Sequence, residues 1–425
     1  MLAFREAFKG NKAIIVEPLR ALAYEKTETL KKITDLIKEK DGPEVKIKVT
    51  TGDYRLNDEF MEDEPEEEFA SEKRGVGEIV IATPERLDAI SRIPDNKPWF
   101  RDLTLVCIDE AHLIGDNHRG VTLELLITFL RSLNYPPQIL FLSATISNAN
   151  ELAEWLTPCT IIKDVERYPS LEKHLCCLED KDETNEAIKQ EVSNILEYDD
   201  TNIIIFVYKT DWAESLAREL AKDIYDVEVK NNDLNSAIES GVAWFHSKLS
   251  TGSRVAVKKA IETGEVRVVV STTALAMGIN LPATHVLVRD ITYPGVGELD
   301  LTDLTQMLGR AGRGDKSGVG IVFHKPSDKV RRQELKIKLK EDVCPKVVSQ
   351  VAPSTNQGYY NSNKNDYFFI DRTGNQIIGI LNRLAPMTEE QLEEFLSLSF
   401  GGEEFLYKLN EILMYLSRWK LIFFN

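Results

Sequence analysis

The feature that most constrains the fold is an alternation of short apolar runs with longer segments of helical periodicity. The runs are rich in Val and Ile and do not alternate with polar residues, which is typical of parallel strands buried on both faces. Segments such as Thr210–Ala221, with Thr210 as the expected N-cap, predict helices between them. The sequence therefore predicts βαβ units and open α/β sheets. The predicted strands are Ala13–Val16, Ile79–Ala82, Leu105–Ile108, Ile139–Leu142, Ile203–Val207, Val242–Phe245, Val266–Val270, His285–Val288 and Val319–Phe323.

The alternation restarts after about residue 180, which predicts two α/β domains of similar size. We place the first at residues 1–165 and the second at residues 166–330. The segment Lys163–Glu197 is charged and lacks long apolar runs, so we expect it to join the two domains.

The pattern changes again after residue 330. Thr388 and Gln391 have the spacing of a capping box, and apolar residues follow at helical spacing. The chain then ends on a short apolar run, Leu421–Phe424. Two small helices that lead into a strand predict a winged-helix-like domain over residues 331–425, although they also suit another small helical cap.

Composition and charge limit the partners of the chain. No stretch approaches the ~20 uninterrupted apolar residues of a membrane span, and the N-terminal residues are too charged for a secretory signal. We therefore expect a cytoplasmic chain without membrane contact. The net charge of −17 excludes non-specific coating of nucleic acid by the whole surface, but it permits binding in a local groove. The five cysteines include no C-x-x-C pair, so we expect neither a zinc ribbon nor a disulfide framework.

An acidic pair follows the apolar run Leu105–Ile108. Asp109 and Glu110 are therefore expected at the carboxyl edge of a parallel sheet, where open α/β folds bind ligands. Asp109 can hold Mg²⁺ through water against nucleotide phosphates. Glu110 can orient and deprotonate an attacking water. Because acidic pairs at strand ends are common, this interpretation depends on the segments that accompany the pair.

Further polar residues and helix starts follow other predicted strands. Thr83 fits an N-cap, with Pro84 in the first helical turn. Free backbone amides at such helix starts bind phosphate even where the protein has no net positive charge, so an acidic protein can still bind a nucleic-acid backbone. Ordinary helix capping is the alternative for each of them. The residues at these strand ends are Arg20, Thr83, Pro84, Ser143, Ala144 and Thr145.

The second half carries a strand-to-helix segment and an arginine pair. Thr272 and Gly278 follow the run Val266–Val270. Arg310 and Arg313 are three residues apart, so on a helix they share one face. Two guanidinium groups on one face can reach a triphosphate held by the other domain. Solvent-facing arginines are the alternative.

Taken in order, the segments PLRALA, TPERL, DEAH, SAT, STTALAMGINLP and QMLGRAGR resemble the motif series of superfamily-two helicases. ALAMGINLP and QMLGRAGR are most similar to the Ski-two-like branch. The resemblance covers residues 1 to about 330 and implies an α/β fold with two RecA-like domains, each with a parallel sheet, followed by the winged-helix-like domain. It implies ATP hydrolysis with Mg²⁺ and 3′-to-5′ movement on single-stranded nucleic acid. We expect DNA rather than RNA as the substrate, in DNA unwinding or repair.

The resemblance also implies a role for each candidate residue. Asp109 and Glu110 correspond to the Mg-ATP and water-activating pair. In relatives a strand-separating hairpin lies where this chain has Asp290–Asp300, so Tyr293 and Val296 are candidates for strand separation. The residues implied to complete the ATP site from the second domain are Gln306, Arg310 and Arg313. The residues implied to couple hydrolysis to domain movement are His112, Ser143, Ala144, Thr145 and Gly278, and those implied to lie near the nucleic-acid backbone are Arg20, Thr83, Pro84 and Thr272.

The chain departs from the family in one respect: it contains no G-x-x-x-x-G-K-[ST]. The amides and lysine of that loop hold the β- and γ-phosphates of ATP. Met1–Lys9 is similar to the helix that follows the loop, so we expect a chain that begins just downstream of it and does not hydrolyse ATP alone. Two alternatives are a nucleic-acid-binding or scaffolding fragment without ATPase activity, and one half of a split helicase whose partner chain supplies the loop.

Overall fold

The computed structural model describes most of the chain in two compact units. The first unit combines Met1–Ile161 with Lys346–Asn425, and the second is Ile162–Pro345. The division into domains at 1–165, 166–330 and 331–425 stays a prediction. The described residues are 1–51, 76–93, 99–100, 102–117, 119–143, 146–163, 170–180, 183–198, 200–229, 233–272, 283–293, 297–299, 301–312, 317–328, 330, 332–341, 346–351, 376–384, 386–402, 406, 409–418 and 420–423.

The first unit is built on a parallel sheet with the strand order β2-β3-β1-β4-β5. Successive residues of each central strand face opposite sides, so Ile14 and Val106 belong to one apolar core while Ala13 and Leu105 belong to the other. Burial on both sides explains why these strands are continuous apolar runs. The strands are β1 Lys12–Val16, β2 Val45–Thr50, β3 Gly77–Ala82, β4 Leu103–Ile108 and β5 Gln138–Phe141.

Helices cover both faces of this sheet. Leu2–Ala7 and Arg20–Glu39 pack on one face. The other face is covered by helices that include Pro84–Ser91 and Gly120–Arg131. Further helical segments among the described residues of the unit include the short 3-10 helix Ala111–Gly115, Ala149–Trp155, residues 376–384, Glu389–Ser397 and Leu409–Arg418.

The C-terminal helices belong to the core of the first unit. Leu392, Phe395 and Leu413 are buried in the same cluster as the central strands. The predicted capping box is present, because Thr388 and Gln391 each accept from the other's backbone N–H. The described residues 420–423 form no strand, and Phe424 lies outside the described residues, so the winged-helix assignment stays a prediction.

The second unit contains another parallel sheet, with the order β6-β13-β10-β7-β9-β8, and a small antiparallel hairpin, β11–β12. Its strands are β6 Leu171–Cys177, β7 Ile203–Phe206, β8 Val242–Phe245, β9 Val268–Ser271, β10 His285–Val288, β11 Thr292–Tyr293, β12 Gly297–Glu298 and β13 Gly318–His324. Its helices are Thr184–Leu196, Thr210–Tyr225, Leu234–Glu239, Thr251–Glu262, Leu301–Leu308 and Arg332–Glu341. The two-sheet α/β architecture predicted from the sequence is confirmed.

Two local predictions are wrong, and two strands are missing from the prediction. The segment Lys163–Glu197 is not only a joint, because it contains β6 and the helix Thr184–Leu196. Strands β2 and β6 were both missed because they are sheet edges in which charged residues interrupt the apolar pattern. Thr210 is the first helical residue and not the N-cap, which is Lys209.

No helix among the described residues is long and apolar enough to cross a membrane.

A buried carboxylate joins the two chain segments of the first unit, Met1–Ile161 and Lys346–Asn425. Glu124 lies on the helix Gly120–Arg131 and is fully buried. It accepts hydrogen bonds from Ser349 Oγ at 2.7 Å and from the Gly401 N–H at 2.9 Å. Burial is the largest effect on this carboxyl, and it raises the Glu124 pKa from 4.5 to about 7, although the hydrogen bonds oppose the shift.

This raised pKa predicts a pH-dependent stability. The folded chain holds the Glu124 proton more tightly than the unfolded chain, so the contribution is complete below about pH 4.5 and is lost as the pH rises to about 7. Relative to Glu124→Gln, the unsubstituted chain should lose on the order of 3 kcal/mol between pH 4.5 and pH 7, measured by urea unfolding. The exposed Glu28→Gln is the control. Equal pH dependence in the chain and in Glu124→Gln would contradict this account.

Candidate functional site

Backbone hydrogen bonds align the carboxyl ends of four strands in the first unit. The Glu17 N–H donates to Ala82 O at 2.9 Å, and the Asp109 N–H donates to Val16 O at 3.0 Å. The Leu142 N–H donates to Ile108 O at 2.9 Å. These bonds bring the residues that follow β1, β3, β4 and β5 to one edge of the sheet. The candidate residues at this edge are Arg20, Thr83, Pro84, Asp109, Glu110, His112 and Ser143.

The acidic pair has an unusual backbone. Glu110 adopts the left-handed conformation, with φ 50° and ψ 48°, and its N–H donates to Asp109 Oδ1 at 3.0 Å. The chain then enters the 3-10 helix Ala111–Gly115, where the Ala111 N–H donates to Leu142 O at 3.0 Å. A left-handed non-glycine residue is strained, and such strain is concentrated at functional sites.

His112 connects the acidic pair to the end of β5. Its Nδ1 atom lies 3.3 Å from Ser143 Oγ and 3.3 Å from Glu110 Oε2. Burial lowers the His112 pKa, so the ring is neutral near pH 7. Because the ring contacts both Glu110 and Ser143, a change in the charge or position of either side chain can alter the contacts of His112. Ala144 and Thr145 lie outside the described residues.

Glu17 is an acidic residue of this edge that the sequence analysis did not single out. It is buried at the end of β1, and burial is the main reason that its pKa rises to about 7. Lys26 Nζ, 3.3 Å from Glu17 Oε1, opposes the rise, while the charges of Asp109 and Glu110 add to it. The sequence does indicate a strand-end position for Glu17, because this residue directly follows the apolar run Ala13–Val16. The concentration of carboxylates makes this edge favourable for a cation.

The donor atoms at this edge fit Mg²⁺. Mg²⁺ is usually held by one or two carboxylates together with water and substrate phosphates. Asp109 supplies such a carboxylate, and the described residues contain no group of three side chains able to cage a metal by themselves. A phosphate cradle of the P-loop type is absent from the sequence.

Two helices begin at the same edge. Thr83 is the N-cap of Pro84–Ser91, as predicted, and its side chain makes no capping hydrogen bond. Arg20 is the first residue of Arg20–Glu39, after the N-cap Leu19. The first-turn amides of both helices thus lie at the edge that carries the acidic pair, where backbone N–H groups can bind phosphate.

In the second unit, Thr272 follows β9, and its N–H donates to Phe245 O at 3.2 Å. Gln306 lies on the helix Leu301–Leu308. Gly278 and Arg313 lie outside the described residues.

Arg310 does not lie on a helix, which was the condition for a shared helix face with Arg313. The helix Leu301–Leu308 ends before it, and Arg310 occupies a turn in which its N–H donates to Met307 O at 3.1 Å. The chain leaves the helix because Ala311 pairs with Ala283 and Gly312 has a φ of 78°. Gly312 therefore supplies a backbone conformation that other residues rarely adopt.

The hairpin β11–β12 is fixed to the second unit by aromatic and charged contacts. The rings of Tyr208 and Tyr293 stack with centroids 4.1 Å apart. Buried Asp290 accepts from the Tyr208 N–H at 3.1 Å and pairs with Lys325. Val296 lies outside the described residues, and a role of this hairpin in strand separation stays a prediction.

Two parallel sheets, the first with an acidic pair and helix starts at its carboxyl edge, are typical of the RecA-like fold class. Residues 1–152 match the DEAD/DEAH box helicase family, and residues 183–315 match the helicase conserved C-terminal domain. The chain belongs to the superfamily-two helicases, in the Ski-two-like branch.

Curated relatives are similar over most of this chain. The ATP-dependent DNA helicase Hel308 of Thermoplasma acidophilum is 34% identical over 342 residues, which are 76% of this chain and 47% of the relative. Hel308 of Pyrococcus horikoshii is 32% identical over 338 residues, 73% of this chain and 44% of the relative. The chain therefore spans about half the length of the curated relatives it matches.

Solved structures share the fold at lower identity. The Mycobacterium smegmatis helicase Lhr bound to ssDNA and AMP-PNP has a TM-score of 0.65 and 20% identity, over 93% of this chain and 49% of that chain. The DUF1998 helicase MrfA bound to DNA has a TM-score of 0.61 and 19% identity, over 98% of this chain and 50% of that chain.

The left-handed backbone of Glu110 predicts that a glycine at this position stabilises the fold. Glu110→Gly removes the left-handed strain and should stabilise the fold by about 1 kcal/mol, although it deletes the carboxylate. The exposed Glu28→Gly, in the middle of the helix Arg20–Glu39, should instead destabilise it by about 1 kcal/mol. Urea unfolding measures both. Similar destabilisation by the two substitutions would show that the Glu110 backbone is not strained.

Proposed function

We propose that this chain is the motor core of an ATP-dependent DNA helicase that moves 3′ to 5′ along single-stranded DNA and acts in DNA unwinding or repair. The observation that carries the proposal is the shared sheet edge. There Asp109 and Glu110 lie beside the helix starts at Arg20 and Thr83. DNA is favoured over RNA because the curated relatives are DNA helicases.

The candidate residues of the first unit would have different chemical roles in ATP hydrolysis. Asp109 would hold Mg²⁺ against the phosphates of ATP, and Glu110 would orient and deprotonate the attacking water. Bound Mg-ATP would supply the free energy for movement. His112, which contacts Glu110 and Ser143, would pass the state of the acidic pair to the end of β5 together with Ala144 and Thr145.

The second unit would complete both sites. Gln306, Arg310 and Arg313 would reach the triphosphate, and Gly278 would allow the accompanying movement. Thr272 would contact the strand backbone, as would Arg20, Thr83 and Pro84 in the first unit. Backbone amides and a few placed cations suffice for this contact, so the net charge of −17 does not oppose it.

We infer that the chain alone does not turn over ATP, because no G-x-x-x-x-G-K-[ST] is present to hold the β- and γ-phosphates. Strand binding does not need that loop. The chain on its own would then act as a nucleic-acid-binding fragment, while its acidic pair keeps the chemistry of an ATPase.

One observation favours a second candidate, half of a split helicase. Within the described part of the first sheet, β5 pairs only with β4. Its apolar residues Ile139–Phe141 are half-buried and Leu142 is exposed, without the lysines that protect the opposite edge strand β2. Such an edge suits an added strand. Mixing the chain with a fragment that carries the P-loop should then restore ATP turnover, and no gain with any such fragment removes this candidate.

The strand-binding site can be tested without ATP. The chain should bind single-stranded DNA more tightly than RNA of the same sequence, as measured by fluorescence anisotropy. Arg20→Ala should weaken binding and reduce the slope of log K against log salt by about 0.7, the loss of one single-strand phosphate contact. Lys38→Ala is the matched control, because Lys38 is exposed about 27 Å away at the other end of the same helix. Equal effects of the two substitutions would contradict this placement of the strand.

A further inference from the structure

A bidentate ion pair lies beside the first turn of the helix Pro84–Ser91. Arg119 Nε is 2.6 Å from Glu85 Oε1, and Arg119 Nη2 is 3.0 Å from Glu85 Oε2. Two parallel bonds of this kind fix both the position and the orientation of the carboxylate. Neither residue was among the candidates of the sequence analysis, because an acidic residue in a first helical turn is ordinary.

Glu85 is badly placed for a helix that binds phosphate. It is the second residue of Pro84–Ser91, so its negative charge lies at the same helix end as the free amides. An uncompensated carboxylate there competes with a phosphate for these amides and repels it. Among the residues that the structure describes, the hydrogen bonds of this carboxylate go to Arg119 and not to the helix amides.

Arg119 is itself held by the segment that follows the acidic pair. Its N–H donates to Asp116 Oδ1 at 2.8 Å, and the Gly120 N–H donates to Asp116 O at 2.9 Å. A Cβ on Gly120 would lie 2.2 Å from Ile114 O, so only glycine allows this close approach. Arg119 therefore extends from a fixed point beside the 3-10 helix Ala111–Gly115.

We infer that Arg119 is a positioning residue for nucleic-acid binding: it neutralises Glu85 and holds its carboxylate so that the first turn of Pro84–Ser91 can accept a phosphodiester of single-stranded DNA. The inference rests on the proposed function, since the Arg119–Glu85 pair has this role only if single-stranded DNA binds at this helix. Arg119 acts through Glu85 and does not touch the strand. The pair is partly exposed, so its contribution to stability is small.

A double-substitution cycle tests this role with the chain as it is. Affinity for an oligothymidylate of about 20 nucleotides is measured by fluorescence anisotropy, and unfolding midpoints are recorded for every variant. Arg119→Gln should weaken binding about five- to tenfold, the effect of one uncompensated charge near a phosphate at the protein surface. Glu85→Gln should leave the affinity unchanged or raise it. The double variant should return to within about twofold of the unsubstituted chain, because the repelling charge is gone.

The matched control is Arg92→Gln, which removes a cation paired with Asp88 at the other end of the same helix. It changes the net charge equally and should leave binding unchanged. The exchanged pair, Arg119→Glu with Glu85→Arg, provides a second folded variant and should bind at least as well as the double variant.

The outcomes separate this inference from the proposed function. A double variant as weak as Arg119→Gln would overturn the inference, because Arg119 would then contact the strand itself. Unchanged affinity in Arg119→Gln, or an equal loss in Arg92→Gln, would also overturn it. Absence of strand binding by the unsubstituted chain would overturn the proposed function as well.

Discussion

The site depends on the hydrogen bonds that run across the ends of the first parallel sheet. They hold the residues after β1, β3, β4 and β5 on one edge, so that the acidic pair, the neutral ring of His112 and two helix starts become neighbours. Without this alignment the same residues would be ordinary strand ends. The left-handed backbone of Glu110 is the local cost of turning the chain sharply at this edge, directly from β4 into the 3-10 helix Ala111–Gly115.

An acidic protein that binds a polyanion must place its donors locally. Here the proposed contacts are first-turn amides and single cations such as Arg20, which do not require a basic surface. An acidic residue near these amides would repel the phosphate. At the helix Pro84–Ser91, the bidentate ion pair with Arg119 neutralises Glu85, and the backbone of Arg119 is held by the residues that follow the acidic pair. In the proposed function, a few covalently adjacent residues would thereby join the strand contact to the nucleotide chemistry.

The buried parts of the fold were predictable from the sequence, because a strand covered on both faces is a continuous apolar run, as at Ile79–Ala82 and Ile203–Phe206. The edge strands β2 and β6 were not, because their charged residues resemble a solvated linker. The strand ends that carry Asp109, Glu110 and Thr83 followed from the same runs. The turn at Arg310 and the Arg119–Glu85 pair could not be predicted, since they depend on a glycine conformation and on contacts between separate elements.

The most direct test of the central claim is ATP turnover by this chain, with and without single-stranded DNA, beside Glu110→Gln. We expect strand binding without turnover in both proteins, because the acidic edge is present and the loop that would hold the phosphates is absent from the sequence. Turnover that is stimulated by the strand and lost in Glu110→Gln would contradict this account. Another segment of the chain would then have to hold the triphosphate.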